Sequence, residues 1–325
     1  MALPKQLEGN LSIPLIGSPM FIVSGPELVT AQCKAGVVGS FPALNARPQP
    51  VLDDWLHRIK DDLAEFKETH PDKPCAPFAV NQICHASNDR LVGDMELCVK
   101  HEVPIIITSL RPPLEIVEAA HSYGGLVFHD VINVRHAQKA AEQGVDGLIL
   151  VCSGAGGHAG TLSPFALVRE VKEWFKGTII LSGAIADGYA VAGALAMGAD
   201  LAYAGTRFIA TEEANADPGY KKMLEDYAAN DIVYSSLFTG VHGNYLKPSI
   251  AAAGMDPDNL PEADKSTMNF GSGGNTEKKA WKDIWGAGQG LGMIKDSPPT
   301  ADLVARMKAE FEEATKAFNE KAVVR

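Results

Sequence analysis

The sequence predicts an α/β fold: a closed (β/α)8 barrel with a smaller, mostly helical or irregular domain inserted over its mouth. Three observations predict it. Eight short apolar runs recur as far as Gly205, and a segment of helical length and pattern follows nearly every one. Strand and helix in alternation build a parallel sheet, and eight such units suit a closed barrel better than an open sheet. After Phe208 the alternation stops, and residues 211–280 become rich in Asn, Gly, Pro and Ser. The expected division is therefore 1–210 plus 281–325 for the barrel and 211–280 for the insertion.

In chain order the apolar runs are PLIGSPM (14–20), GVVGSF (36–41), PFAVN (77–81), PIIIT (104–108), GLVFH (125–129), DGLILV (146–151), TIILSG (178–183) and DLAYAG (200–205). Runs of this length bounded by turn residues read as buried strands. Between them lie amphipathic or alanine-rich stretches such as VLDDWLHRIKDDLAEF and NVRHAQKAAEQG. Asn133 is placed to cap the second of these, and Gly144 to stop it. Asp187 and Gly198 take the same parts around DGYAVAGALAMG. In the insertion, SSLFTGVHGNYLKPSI and STMNFGSGGNTEKKAW read as irregular or partly helical. Their aromatic neighbours (Tyr220, Tyr227, Tyr234, Phe238, Tyr245, Phe270 and Trp281) favour a packed segment. The last helix carries Leu303, Val304, Met307, Phe311, Ala314 and Phe318 at helical spacing, so it should dock on the barrel's outside.

Composition removes several function classes. A net charge of −11 argues against a nucleic-acid binder, which concentrates positive charge. No apolar run approaches the length of a membrane span. The start MALPKQLEGN lacks a basic segment followed by an apolar core, so no secretion signal is expected. The five cysteines form no CxxC pair, which suits reduced thiols in a cytoplasmic protein. Cys84 and His85 are adjacent, but no second pair has zinc-like spacing, so no metal site is expected.

Ligands of a parallel barrel collect at the C-terminal ends of its strands. The residues there include Ser18, Pro19, Met20, Asn81, Ser109, His129, Asp130, the glycine-rich loop 154–160, Ser182, Gly183, Ala184, Gly205 and Thr206. Most are small or polar. The loops after the seventh and eighth strands are where such barrels bind phosphate, through main-chain amides and a helix start. The plain alternative is that Gly183 and Gly205 only close tight turns. GAGGHA formally fits a dinucleotide fingerprint, but it follows the sixth strand instead of the first, and the next strand ends in Ser182 without an acid. Among nine histidines, His158 stands at the mouth and His129 ends a strand. His57, His70, His101 and His121 fall in solvated contexts. Imidazole transfers protons near neutral pH, which makes His158 the first candidate for chemistry and His129 the second.

AGGHAG, SGAIADG with GADLAYAGTRF, PFAVN and IWGAGQG together resemble the nitronate monooxygenases, formerly called 2-nitropropane dioxygenases, from SPM at 18–20 to GQG at 288–290. The resemblance implies a TIM barrel binding FMN without a covalent bond. It places Gly183, Ala184, Gly205 and Thr206 on the phosphate, and Asn81 and Met20 near the flavin ring. Pro19, Asp130, Gly157, Ser182 and Gln289 join them around the cofactor, and His158 takes the catalytic role. Relatives often carry a lysine or another polar donor at the position of Asp130, and some carry an aspartate at that of Val151. The implied reaction is oxidation of an alkyl nitronate, or a nitroalkane, by O2 to a carbonyl compound and nitrite. The histidine motif is shared with flavin-dependent NAD(P)H reductases of quinones or enoyl thioesters, which is the alternative reading. A homodimer is compatible with either.

Overall fold

The computed structural model describes residues 3–111, 114–262 and 284–322. All eight sequence-predicted strands form. In chain order the barrel strands and their helices begin with β1 (Leu15–Gly17), α1 (Pro26–Lys34), β2 (Gly39–Pro42), α2 (Pro50–Thr69), β3 (Phe78–Cys84) and α3 (Leu91–Lys100). They continue with β4 (Ile105–Leu110), α4 (Leu114–His121), β5 (Leu126–Val131), α5 (Val134–Ala141) and β6 (Gly147–Val151). After a two-residue strand β7 (Gly157–His158) come α6 (Pro164–Trp174), β8 (Thr178–Ser182), α7 (Gly188–Met197), β9 (Leu201–Ala204) and α8 (Thr206–Ile209).

The main sheet is parallel, in the order β1-β9-β8-β6-β5-β4-β3-β2. A bridge from Ile16 to Val38 joins its two ends and closes the cylinder. Strand alternation sorts the side chains into two layers. Ile105, Ile107, Phe128, Ile149, Ile180 and Leu201 fill the interior, while Ile106, Val127, Leu148, Leu150, Ile179 and Leu181 meet the helices. The predicted caps form as well. Asn133 accepts from the His136 amide at 2.8 Å and Asp187 from that of Ala190 at 2.7 Å. Gly198 closes α7 with φ of 113°, a left-handed conformation that favours glycine.

The segment after the barrel strands differs from expectation. It holds α9 (Pro218–Asp226), but SSLFTGVHGNYLKPSI supplies most of an antiparallel hairpin instead of an irregular stretch. The hairpin comprises β10 (Ile232–Ser235) and β11 (Gly243–Leu246), and α10 (Lys247–Ala252) follows it. Its turn contains Gly240 at φ of 79°, a conformation that apolar periodicity does not register. Phe270 and Trp281 lie outside the described residues, as does all of STMNFGSGGNTEKKAW.

The last helix, α11 (Thr300–Ala322), docks as expected through Leu303, Val304 and Met307, which are buried. Its crossing with α7 is close: a Cβ on Gly188 would lie 2.0 Å from the Met307 carbonyl oxygen. The distal part does not dock, and Phe318 is 60% exposed. His101, expected in solvent, is buried at the end of α3. All five cysteines are buried and unpaired with one another, and burial pushes the thiols of Cys33, Cys84, Cys98 and Cys152 up to about 12. Among the described residues no helix is long and apolar enough to cross a membrane.

Candidate active site

The interior layer of the barrel ends in polar or small residues. Continuing each strand's inward parity by one step gives Ser18, Asn81, Ser109, Asp130, Ser182 and Gly205. All six line one cavity of about 1170 Å3 at the C-terminal mouth. Pro19, Met20, Gly157, His158, Gly183, Ala184 and Thr206 line it too. Of the residues that the family resemblance places at the cofactor, Gln289 alone is off this wall. Its amide donates to the Gly154 carbonyl at 2.9 Å and its side chain rests beside Gly154.

The loops after β8 and β9 lie side by side. Gly183 adopts φ of 141° and Ala184 φ of 55°, so the chain turns sharply where β8 ends. A Cβ on Gly205 would lie 2.4 Å from Ser18 Oγ, which shows how near the loop after β9 approaches the loop after β1. Outside the strand ladders and helices, the amides of Gly183, Gly205 and Thr206 make no hydrogen bond to another described residue. Cavity-lining amides left out of loop hydrogen bonds fit an anionic oxygen ligand such as a phosphate. Residues 286–290 cross over these loops. Gly288 donates its amide to Thr206 Oγ1 at 2.9 Å, and a Cβ on Gly156 would lie 2.7 Å from the Gly288 nitrogen.

Across the cavity floor runs a polar chain. Asn81 Nδ2 donates to Ser109 Oγ at 3.0 Å, and Ser109 Oγ donates to Asp130 Oδ2 at 2.7 Å. Asp130 Oδ1 has no hydrogen-bond partner among the described residues. Burial pushes this carboxyl up to about 6, and the Ser109 hydrogen bond opposes the shift only partly. An unpartnered buried carboxylate oxygen fits a hydroxyl-bearing ligand better than a second anion.

His158 is not on a free loop. Gly157 and His158 form β7, which pairs antiparallel with β11 through Gly243–His158 and Asn244–Gly157. Three further bonds hold the strand: the Ala159 amide to the His242 carbonyl at 3.2 Å, Asn244 Nδ2 to the Ala155 carbonyl at 2.7 Å, and the Tyr234 hydroxyl to the Ala159 carbonyl at 2.9 Å. His158 Nε2 lies 2.8 Å from Thr239 Oγ1. The Thr239 hydroxyl donates to the Val241 carbonyl at 3.0 Å, so its oxygen accepts from an Nε2–H. Burial holds the imidazole down to about 4, and it is neutral at neutral pH.

His129, the second candidate, is excluded from the cavity by parity. It sits one residue before Asp130 and therefore faces the helices, where Thr108 Oγ1 is 2.8 Å from its Nδ1. Burial pushes it down to about 4. Thr239 carried no sequence signal, because an isolated threonine in a turn has no pattern. His136, in α5, reaches the cavity wall, as do Arg47, Tyr220 and Trp285. Tyr220 stacks on Trp285 with ring centroids 4.9 Å apart.

Comparison with known proteins agrees with this geometry. Residues 55–310 match the family model of nitronate monooxygenase. The chain is 27% identical to a nitronate monooxygenase of Paraburkholderia phytofirmans, with 93% of each chain covered. It is 29% identical to one of Neurospora crassa, covering 93% of this chain and 90% of that one. Among solved structures it resembles a nitroalkane oxidase of Streptomyces ansochromogenes (TM-score 0.78, 22% identity, 97% and 100% covered) and FabK of Thermotoga maritima (TM-score 0.76, 22% identity, 97% of each). With barrel, mouth cavity and family match in agreement, this chain belongs to the nitronate monooxygenase family of flavin-dependent oxidoreductases.

Proposed function

We propose that the protein oxidises alkyl nitronates with O2 to a carbonyl compound and nitrite, using FMN. The observation that carries this reading is that one cavity is lined both by Gly183, Gly205 and Thr206, whose amides make no loop hydrogen bond to a described residue, and by His158. FMN, when bound, supplies the electron acceptor. The three amides hold its phosphate, each charge-assisted hydrogen bond contributing ~1.5–3 kcal/mol. Asp130 Oδ1 accepts from a ribityl hydroxyl, and Asn81 and Met20 border the ring.

The remaining cavity takes the substrate. The neutral imidazole, whose Nε2–H goes to Thr239, acts through Nδ1 as a base, and the proton taken up there hydrogen-bonds the anionic nitronate, whose charge raises the imidazole's own proton affinity. With a neutral nitroalkane the same imidazole removes the acidic α-proton, assistance worth ~10²–10⁴-fold in rate. The strand pairing of β7 with β11 and the Thr239 contact fix the ring's direction. The apolar walls exclude water from the reacting carbon.

Oxygen uptake and nitrite release with a simple alkyl nitronate test the reading. Turnover producing nitrite supports it. Absence of nitrite, together with rapid anaerobic bleaching of the flavin by NADH, would establish a reductase instead.

A further inference from the structure

Away from the mouth, helices α2 and α3 bring three metal-binding side chains together. Asp53 and His57 are four residues apart on α2, so both project from one helix face. His101 follows the last residue of α3 and is buried, and its Nε2 lies 2.6 Å from Asp53 Oδ1. The His57 ring stands nearly perpendicular to the His101 ring, at 85° and 4.4 Å between centroids. One ligand atom from each of the three residues lies within 4.8 Å of the other two. We propose that Asp53, His57 and His101 bind a divalent first-row transition ion, such as Zn2+, that ties α2 to α3.

Two imidazoles and one carboxylate are a donor set such ions favour, with water completing the shell. Zinc bonds of ~2.0–2.1 Å in a tetrahedron keep ligand atoms about 3.3 Å apart. The 2.6 Å pair must open slightly and His57 must close in. His57 is exposed, so its ring turns without disturbing the core. Lys100 Nζ touches both Asp53 oxygens, at 2.8 Å and 3.0 Å. Its side chain is 56% exposed, so it can keep Oδ2 while Oδ1 turns to the ion. Lys60 Nζ donates to the His101 carbonyl at 2.9 Å, which holds the helix end that aims His101. The five cysteines are all buried and offer the ion no accessible rival. Cysteine and histidine spacing in sequence does not register this cluster, because two different helices supply it.

Calorimetric titration of ZnCl2 into the full chain, treated with EDTA and returned to phosphate-free buffer, tests the proposal. The expected result is one saturable site per chain. Affinity falls at least ~10-fold in His57→Ala, with circular dichroism and flavin content unchanged, and rises in Lys100→Met, which removes the competing ammonium. No saturable uptake by the parent, or parental affinity in His57→Ala, would reduce the cluster to a hydrogen-bonded tie between helices.

Discussion

Nε2 of His158 and Oγ1 of Thr239 lie 2.8 Å apart, although 81 residues separate them in the chain. The contact spans the end of the barrel loop and the turn of the β10–β11 hairpin. Thr239 is thus a positioning residue for the imidazole. Thr239→Val should lower kcat by about 10-fold, leave KM nearly unchanged and keep the flavin, whereas Thr239→Ser restores most of the rate. Steady-state kinetics on the two variants check this. Equal rates in Thr239→Val and the parent would remove the role.

His158 itself should matter most for a substrate that must first lose a proton. In His158→Ala, turnover of neutral nitroalkane falls ~10²–10⁴-fold while the yellow cofactor remains. Because burial holds the imidazole down to about 4, it is unprotonated throughout pH 5–8 in the free chain. The acid limb of kcat/KM that this variant abolishes should therefore lie near pH 4 and not near 6.5. Stopped-flow or oxygen-electrode profiles of parent and variant decide it.

Backbone shape at the phosphate loops makes a separate prediction. Gly183 combines φ of 141° with a carbonyl, that of Ser153, only 2.9 Å from where a Cβ would sit. Gly183→Ala should cost ~1–3 kcal/mol of stability and release the flavin. Urea melts and flavin content measure the two effects together.

Asp130 ties stability to pH in the flavin-free chain. Its folded-state value is raised from 3.8 to about 6. A raised carboxyl favours the fold below pH 3.8, and that advantage is lost as pH rises through 6. At pH 8 the buried charge opposes folding by about 2–3 kcal/mol. Asp130→Asn should therefore raise the urea midpoint at pH 8 and leave it nearly unchanged at pH 4.

His129 works with the opposite pH trend. Its folded value is lowered from 6.5 to about 4, so the unfolded chain takes up a proton first as pH falls. Stability should drop by about 3 kcal/mol between pH 6.5 and 4 from this residue alone. Chemical denaturation across that range, in the parent and in His129→Gln, isolates its share.

These residues also show what the sequence made legible. The eight strands were readable because each apolar run is short, bounded by turn residues and followed in nearly every case by a periodic helix. Once the strands were placed, the mouth residues followed from where each run ended. Which neighbour faces inward did not: His129 and Asp130 are adjacent, and only barrel parity sends the aspartate into the cavity. The hairpin escaped because SSLFTGVHGNYLKPSI has no clean alternation, since Tyr245 and Leu246 are both fully buried neighbours. Thr239 and the Asp53–His57–His101 cluster escaped for a common reason. Both are contacts between distant segments, which spacing along one chain does not encode.

In the proposed function, the loops at Gly183 and Gly205 grip a phosphate and so seat a flavin nucleotide beside His158. The most direct measurement is an equilibrium titration of the flavin-free chain with FMN and with riboflavin, which differ only in that phosphate. The expected result is saturable FMN binding, at least ~10–100-fold tighter than that of riboflavin. Equal affinity for the two, or no saturable binding of FMN, would contradict it.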